Sequence, residues 1–280
     1  MTTRPPLTDR PALTAMRRRA VRAGGPTDFV HRLAITEVEE RRNMVNRAFT
    51  APAVVTGFPQ VWRAAMPEAR VVEDANVLDL APEAHDLVVH ALALHWADDP
   101  VGQLIQCRRA LCPDGLFLGV VPGGETLAEL RAALAQAEAE ISDGLSPRVV
   151  PMGDIRDLGA LMQRAGFALP VADSARITVQ YESLFALMTD LRAMGETNAQ
   201  TGRVRQATRR ALFTRAAEVY PGLATGDGIS ATLDLITLTG WAPAKDQPQP
   251  LRPGSATARL ADALGTTENP LAREIGSEPN

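Results

Sequence analysis

The sequence is nearly devoid of lysine: of its 29 lysine and arginine residues, only Lys245 is a lysine. An arginine- and alanine-rich chain with so little lysine is typical of a GC-rich bacterial genome, and we therefore expect a bacterial, cytoplasmic protein. The formal net charge is −4. This balance argues against a general nucleic-acid-binding surface.

The sequence is also poor in metal-binding and redox residues. Its two cysteines, Cys107 and Cys112, lie 112 − 107 = 5 residues apart and form no C-x-x-C pair, so we predict free thiols. Its four histidines form no H-E-x-x-H motif. An iron site needs two histidines and one carboxylate. His95 and either Asp98 or Asp99 could supply two of these ligands, but no third ligand is evident. We predict no metal site.

Long apolar runs are absent as well. No stretch of about 18 apolar residues is present, so we predict no membrane insertion. The N-terminus has no apolar core of a secretory signal. Its arginines, between Arg17 and Arg22, resemble those of a transit peptide, although a solvated helix over Ala12–Ala23 is the simpler interpretation.

What the sequence does contain is clearest in residues 86–119, which predict a strand, a helix and a second strand. Asp86–Leu94 is a nearly unbroken apolar run, the pattern of a strand buried on both faces of a parallel sheet. Asp98–Pro100 provide an N-cap and a first-turn proline for the helix, and Cys112–Gly115 end it. The second strand runs from Leu116 to Val121. Together these elements predict a right-handed β-α-β unit.

Short apolar strands alternate with helices from about residue 47 to 181, which predicts an α/β fold with a mostly parallel sheet. Extra helices are expected near 183–220, at 183–194 and 203–220, and a closing strand at 231–241. We predict a flexible N-terminal segment, one domain and a flexible C-terminal tail, at residues 1–25, 26–242 and 243–280.

Several ordered motifs resemble known proteins. The stretch Asp86–Gly119 is similar to the late core of class I methyltransferases, which use S-adenosylmethionine. The motifs that follow resemble one branch of these proteins, the methyltransferase-like assembly factors of respiratory complex I: Gly123–Arg131, Leu145–Arg148, Arg156–Gly159, Arg164–Phe167, Leu191–Asn198, Thr239–Trp241 and Pro253–Ala256. The resemblance covers roughly residues 26–258. A weaker likeness is to the methyltransferases that act on malonyl-carrier protein.

The resemblance implies a class I methyltransferase-like, Rossmann-like fold and a role in the assembly or modification of respiratory complex I. The family's mitochondrial member is regarded as an arginine hydroxylase acting on a subunit of the complex, so the implied partner or substrate is a protein. Two alternatives stay open. One is an active S-adenosylmethionine-dependent methyltransferase, and the other is a non-catalytic scaffold.

The glycine-rich loop that cradles S-adenosylmethionine in such methyltransferases is eroded here. The first strand should lead into a D/E-x-G-x-G-x-G turn, where glycines let the backbone approach the ligand without a Cβ clash. In the equivalent stretch, Ala51–Trp62, only Gly57 remains, and Phe58 and Pro59 follow it. S-Adenosylmethionine is the cofactor implied by the resemblance, but we expect it to bind weakly or not at all.

The spacing after Gly57 predicts a shortened first half of the sheet. Counting back from Asp86 by the family's spacing puts Asp74 at the adenine-binding aspartate, 74 − 57 = 17 residues after Gly57. A path through two further strands needs roughly three dozen residues. No acid stands about 20 residues after the turn to hold the ribose. We predict the loss of one β-α unit, leaving a strand, a short helix and a strand at Val54–Gly57, Phe58–Ala65 and Ala69–Val72.

Position within the family's fold marks five candidate site residues. The cofactor contacts implied by the resemblance are Gly57, Asp74 and Trp96, and the candidate catalytic residues are His95 and Glu125. His95 and Trp96 follow the strand that begins at Asp86, where family members line the acceptor pocket. The alternative for this couple is a packed structural pair.

Glu125 comes directly after Gly123 and Gly124, beyond the next strand. Its carboxylate would suit a guanidinium as a charge-assisted, bidentate partner. The alternative is a helix cap, since a helix is predicted to start at Thr126. His90 lies inside the apolar strand and is interpreted as a hydrogen-bonded core residue.

Overall fold

The computed structural model describes residues 6–25, 27–142, 144–221, 228–245 and 260–267. The chain divides into two units, 1–244 and 245–280, and the first contains the sheet. In the second unit the described part includes one short helix, Leu260–Leu264. Most of the predicted tail and the Pro253–Ala256 motif lie outside the described residues, and the predicted domain bounds stay a prediction.

One mixed sheet organises the first unit. Its strands in the described part of the chain are β1 (Pro52–Thr56), β2 (Arg70–Glu73), β3 (His85–Ala91), β4 (Leu111–Pro122), β5 (Ala168–Tyr181) and β6 (Ile229–Trp241). They lie in the order β2-β1-β3-β4-β6-β5. The first four run parallel, while β6 is antiparallel to both β4 and β5. This confirms the predicted α/β fold and its mostly parallel sheet.

Helices connect and cover these strands. They are α1 (Arg10–Arg22), α2 (Phe29–Met44), α3 (Pro59–Ala65), α4 (Pro100–Ala110), α5 (Ala128–Ile141), α6 (Ile155–Arg164), α7 (Leu184–Ala193) and α8 (Arg210–Glu218). The predicted cap of α4 is confirmed, because the Asp99 carboxylate accepts a hydrogen bond from the Gly102 amide at 2.8 Å. Cys107 and Cys112 are both free, as predicted.

Helices α5 and α8 begin later than the sequence pattern predicted. Leu127 has a left-handed backbone (φ 56°), so the helix expected from Thr126 begins only at Ala128. The helix expected over 203–220 is confined to Arg210–Glu218. Upstream of it, Arg203 and Arg205 instead form ion pairs with Asp9. Tertiary contacts thus override local helix propensity at both sites.

Helices cover both faces of the sheet's central strands, which is why β1, β3 and β4 are apolar on both sides. Val55 belongs to the cluster on one face, together with Leu104 of α4 and Met162 of α6. Val54 belongs to the cluster on the other face, together with Trp62 of α3. The continuous apolar runs read from the sequence are therefore confirmed as strands buried on both faces.

The first half of the sheet is short, as predicted. β1 is joined to β2 by the seven-residue helix α3, and β2 pairs directly with β1 through the register Thr56↔Glu73. In the described residues no further strand lies outside β2. Asp74 follows β2, close to the strand predicted at Ala69–Val72. Because β2 is the strand next to β1, Asp74 lies beside Gly57.

The N-terminal segment, expected to be flexible over 1–25, contributes a packed helix. α1 is capped by the Asp9 carboxylate, which accepts from the Ala12 amide at 3.1 Å. Its inner face buries Leu13, Arg17 and Ala20. The burial of an arginine on this face shows that α1 is docked through a polar contact as well as apolar ones.

Helices α5, α7 and α8 pack together over the starting end of β6 and form a third apolar cluster that includes Leu130, Leu187, Leu212 and Ile229. These are the extra helices predicted near 183–220, joined by α5. None of the helices in the described ranges combines the length and apolarity needed to cross a membrane.

The buried carboxylate of Glu138 on α5 gives a test of this packing. Glu138 accepts from Ser146 Oγ at 2.6 Å and from Arg148 Nη2 at 2.7 Å. Burial by itself would raise the pKa of Glu138, but the Arg148 and Ser146 hydrogen bonds lower it from 4.5 to about 2. A depressed carboxyl pKa stabilises the fold above the unfolded value, and that stability is lost as the pH falls towards the folded value.

We therefore expect Glu138→Gln to lower the free energy of unfolding at neutral pH by about 1–3 kcal/mol. Between pH 4.5 and 2 the free energy of unfolding should fall less steeply in the variant than in the parent, because the variant has no carboxyl group to protonate at position 138. Urea denaturation over this pH range measures both effects. Glu39→Gln, on the exposed face of α2, is the matched control and should follow the parent. Parallel pH profiles for all three proteins would contradict the assignment.

Candidate functional site

The carboxyl ends of β1 and β2 bring together Gly57, Asp74 and an arginine from α1. Arg17 Nη1 donates to Asp74 Oδ1 at 2.6 Å. Arg10 Nη1 donates to the other carboxylate oxygen at 3.1 Å and to the Asp74 carbonyl at 2.6 Å. The side chains of Arg17 and Asp74 are only 10% and 6% exposed. Asp74 is therefore a buried carboxylate shared by two arginines of one helix.

The Arg17 guanidinium also covers Gly57. A Cβ atom added to Gly57 would collide with Arg17 Cζ and both terminal nitrogens, so only glycine admits the arginine here. Arg17 Cζ lies 5.7 Å from the centroid of the Phe58 ring. The space in front of the single remaining glycine is thus filled by side-chain atoms.

A tight turn after α7 packs against Arg17 and Phe58. Gly195 has a positive φ of 75°, and a Cβ there would lie 2.9 Å from Phe58 Cζ and 3.1 Å from Arg17 Cα. Phe58 is itself only 2% exposed. The bulky residue that replaces a loop glycine is therefore part of the core, packed beneath α1 and the turn.

His95 and Trp96 lie in a short 3₁₀ turn after β3 and share one carboxylate. Trp96 Nε1 donates to Glu196 Oε2 at 2.6 Å. His95 Nε2 lies 3.2 Å from the same oxygen, while His95 Nδ1 is buried and has no hydrogen-bond partner among the described residues. Glu196 follows α7. This cluster therefore joins the edge of the sheet to the group of helices α5, α7 and α8, which we call the cap helices.

The charge state of Glu196 follows from these contacts. Burial would raise the pKa of Glu196, but the hydrogen bond and charge of His95, with smaller contributions from Arg17 and Trp96, hold it below its ordinary value. The carboxylate is therefore charged near neutral pH. It presents a fixed acceptor at the base of the cluster.

The other histidines are engaged in the core. Trp62 Nε1 donates to His31 Nδ1 at 3.2 Å, and burial lowers the pKa of His31 to about 4. His90 Nε2 lies 2.8 Å from Gln103 Oε1, which agrees with its interpretation as a hydrogen-bonded core residue. In the described ranges no three His, Cys, Asp or Glu side chains are grouped so as to hold a metal ion.

Glu125 lies apart from both clusters. Its side chain is 60% exposed and lies 3.7 Å from that of Arg176, which is 64% exposed. The residue before α5 is Leu127, and no side chain caps that helix terminus. Of the five predicted site residues, the fold therefore pairs Gly57 with Asp74 and His95 with Trp96, and leaves Glu125 on the surface.

A cavity of about 430 Å³ opens beside His95, Trp96 and Glu196. It lies between the carboxyl ends of β3, β4 and β5 and the cap helices α5, α7 and α8. Open α/β sheets place their ligands at this edge. Gly57 and Asp74 do not line it.

Two residues at this edge were missed by sequence reasoning. Arg17 was noticed only as one of several N-terminal arginines, and nothing in its local pattern marks it as the partner of Asp74. Glu196 lies within the motif Leu191–Asn198 that carried part of the resemblance, which was a signal that could have singled it out.

Comparisons with known proteins agree with the α/β fold and its mostly parallel sheet. Residues 35–119 match the family model described as a methyltransferase domain. The chain is 33% identical over 222 residues to the mitochondrial arginine-hydroxylase NDUFAF5 of Danio rerio, covering 79% of this chain and 69% of that protein. It is 38% identical over 185 residues to NDUFAF5 of Dictyostelium discoideum, covering 65% and 42%.

A second group of relatives consists of methyltransferases. The chain is 35% identical over 176 residues to the malonyl-[acyl-carrier protein] O-methyltransferase of Laribacter hongkongensis, covering 63% of this chain and 57% of that protein. This matches the weaker likeness noted in the sequence. Across the NDUFAF5 relatives reported above, the chain spans 42% to 69% of their length.

The buried pair of Arg17 and Asp74 should dominate the stability of this edge. Asp74→Asn leaves a buried guanidinium without its counter-charge, and we expect a loss of about 3–5 kcal/mol in the free energy of unfolding, measured by urea denaturation. Asp79→Asn removes a partner from the exposed Arg70–Asp79 pair and should cost less than about 1 kcal/mol. Equal losses of stability in the two variants would contradict the assignment of Arg17 and Asp74 as a stabilising buried pair.

Proposed function

Because this chain belongs to the methyltransferase-fold family of the arginine-hydroxylase NDUFAF5, we propose that it acts in the assembly or modification of respiratory complex I. The proposal assigns it a protein partner, a complex I subunit or another protein of the assembly line. It also places this action in the bacterial cytoplasm, in keeping with the composition. S-Adenosylmethionine is not a tightly bound participant in this proposal.

The observation that carries the cofactor part of the proposal is the placement of Arg17. Its guanidinium packs on Gly57, where a bound cofactor would need bare backbone. The carboxylate of Asp74, which lies beside that glycine, is already shared by Arg17 and Arg10. The residues present do not fit S-adenosylmethionine, and no reaction step is assigned to it.

The partner part of the proposal rests on the His95–Trp96–Glu196 cluster and on Glu125. Both groups lie near the edge of the sheet where α/β proteins act on ligands. Glu196 offers a charged, pre-positioned carboxylate, and Glu125 an exposed one whose contact with Arg176 is long. A guanidinium from a basic segment of the partner is the chemical group that suits such carboxylates as a bidentate ligand.

Isothermal titration with S-adenosylmethionine tests the cofactor part directly. We expect no binding, or a dissociation constant above about 10 µM, which corresponds to less than about 7 kcal/mol of binding free energy. The physical reason is that binding must displace Arg17 from Gly57 and break its ion pair with Asp74, which would then keep only Arg10. A dissociation constant below this value would make the active methyltransferase the leading alternative.

Complementation of a deletion strain tests the partner part. We expect Glu125→Gln and His95→Ala to fold normally and to fail to restore complex I activity, because each removes a group that would contact the partner. Glu196→Gln keeps the shape of the cluster but removes its charge, and we expect a comparable loss. NADH-dependent activity of isolated membranes is the measurement.

Glu39→Gln is the matched control, since Glu39 is exposed on α2, and it should restore full activity. Melting temperatures of all variants separate a folding defect from a functional one. Full activity with both Glu125→Gln and His95→Ala would overturn the site assignment and favour the scaffold alternative.

A further inference from the structure

The lining of the cavity beside His95 is mostly aliphatic. Its walls carry side chains from the cap helices and the connecting loop, among them Leu130, Val149, Leu187, Met188 and Phe213. A volume of about 430 Å³ lies within the range of sites for small molecules, which bury most of their ligand in apolar surroundings. A mostly apolar wall of this kind favours apolar groups of a ligand.

Most polar side chains of the lining are already bonded within the protein. Arg148 donates to Glu138, and Tyr181 donates to Asp190 at 2.8 Å. Thr232 donates to Glu129. Because these groups already make hydrogen bonds within the protein, they offer little to a ligand that must be recognised through many hydrogen bonds, such as a nucleoside. What the cavity offers is aliphatic contact.

The side chain of Arg192 differs from these hydrogen-bonded side chains of the cavity lining. Arg192 lines the cavity and is exposed, and its guanidinium makes no hydrogen bond or ion pair with the described part of the chain. Val204 is also a lining residue and is 50% exposed, so the cavity reaches the surface. Unlike Arg148 and Arg203, which are paired with Glu138 and Asp9, Arg192 is available to an anion.

We propose that this cavity binds an amphipathic molecule with a long hydrocarbon chain and an anionic head group, such as a fatty carboxylate. The chain lies along the wall that includes Leu187 and Met188, where the flexible thioether adapts to it. The head group lies at the surface against Arg192. The cavity shares His95, Trp96 and Glu196 with the proposed partner site, but the binding proposed here does not rest on an action on complex I. Its test is therefore a binding measurement on the purified protein.

The experiment is displacement of the fluorescent probe 11-(dansylamino)undecanoate by decanoate and by decanol, below their aggregation concentrations. We expect saturable binding of one probe per chain and displacement by both competitors. Arg192→Gln should weaken decanoate about three- to fivefold, because an exposed ion pair contributes up to about 1 kcal/mol. The same variant should leave decanol unchanged, since decanol carries no charge.

Met188→Trp fills the cavity and should weaken the probe at least about tenfold, whereas Met188→Leu keeps the volume and should bind as the parent does. Circular dichroism and melting temperature show whether Met188→Trp folds. If Met188→Trp does not fold, the proposal is still tested by the effect of Arg192→Gln on decanoate compared with decanol. Arg63→Gln, at an exposed arginine of α3 away from the cavity, is the matched control.

Three outcomes would overturn the proposal. The first is no saturable probe binding. The second is binding that a folded Met188→Trp leaves intact, which would place the chain elsewhere on the surface. The third is equal weakening of decanoate by Arg192→Gln and Arg63→Gln, which would reduce the head-group contact to a general effect of charge.

Discussion

The arrangement of this protein depends on one buried ion pair, between Arg17 of α1 and Asp74 at the end of β2. Neither charge is exposed enough to be satisfied by water, so each requires the other. The pair fixes α1 against the sheet edge and holds the guanidinium on Gly57. Through the contact of Arg17 and Phe58 with Gly195, it also fixes the turn from which Glu196 projects.

That pair follows from the shortening of the sheet. With a full complement of strands, the acid at position 74 would lie one strand further from Gly57. The loss of one β-α unit lets β2 pair with β1 and brings the carboxylate beside the glycine. An unpaired carboxylate there would be costly once α1 covered it, and the arginine of α1 neutralises it. At this edge of the sheet the ion pair is thus a structural joint between α1 and β2.

The other side of the sheet edge keeps an open cavity. Its polar base is the Glu196 carboxylate with His95 and Trp96, and its walls belong to the cap helices α5, α7 and α8. The two sides are physically linked, because Gly195 lies so near Arg17 and Phe58 that a Cβ atom there would collide with both. Its neighbour Glu196 contacts His95. A change at the joint can therefore alter the geometry of the cavity without touching its lining.

The sequence by itself determined the α/β fold, the parallel order of β1, β3 and β4, and the loss of one unit, because these follow from apolar periodicity and from chain length. It also marked His95, Trp96 and Gly57. Only the tertiary structure decided that Asp74 lies beside Gly57, that Arg17 covers that glycine, and that Glu196 joins His95. The hydrogen bonds involved join residues far apart in sequence, 57 positions for Arg17 and Asp74 and 101 for His95 and Glu196. Local pattern carries no information about charges that meet only when helices dock on the sheet edge.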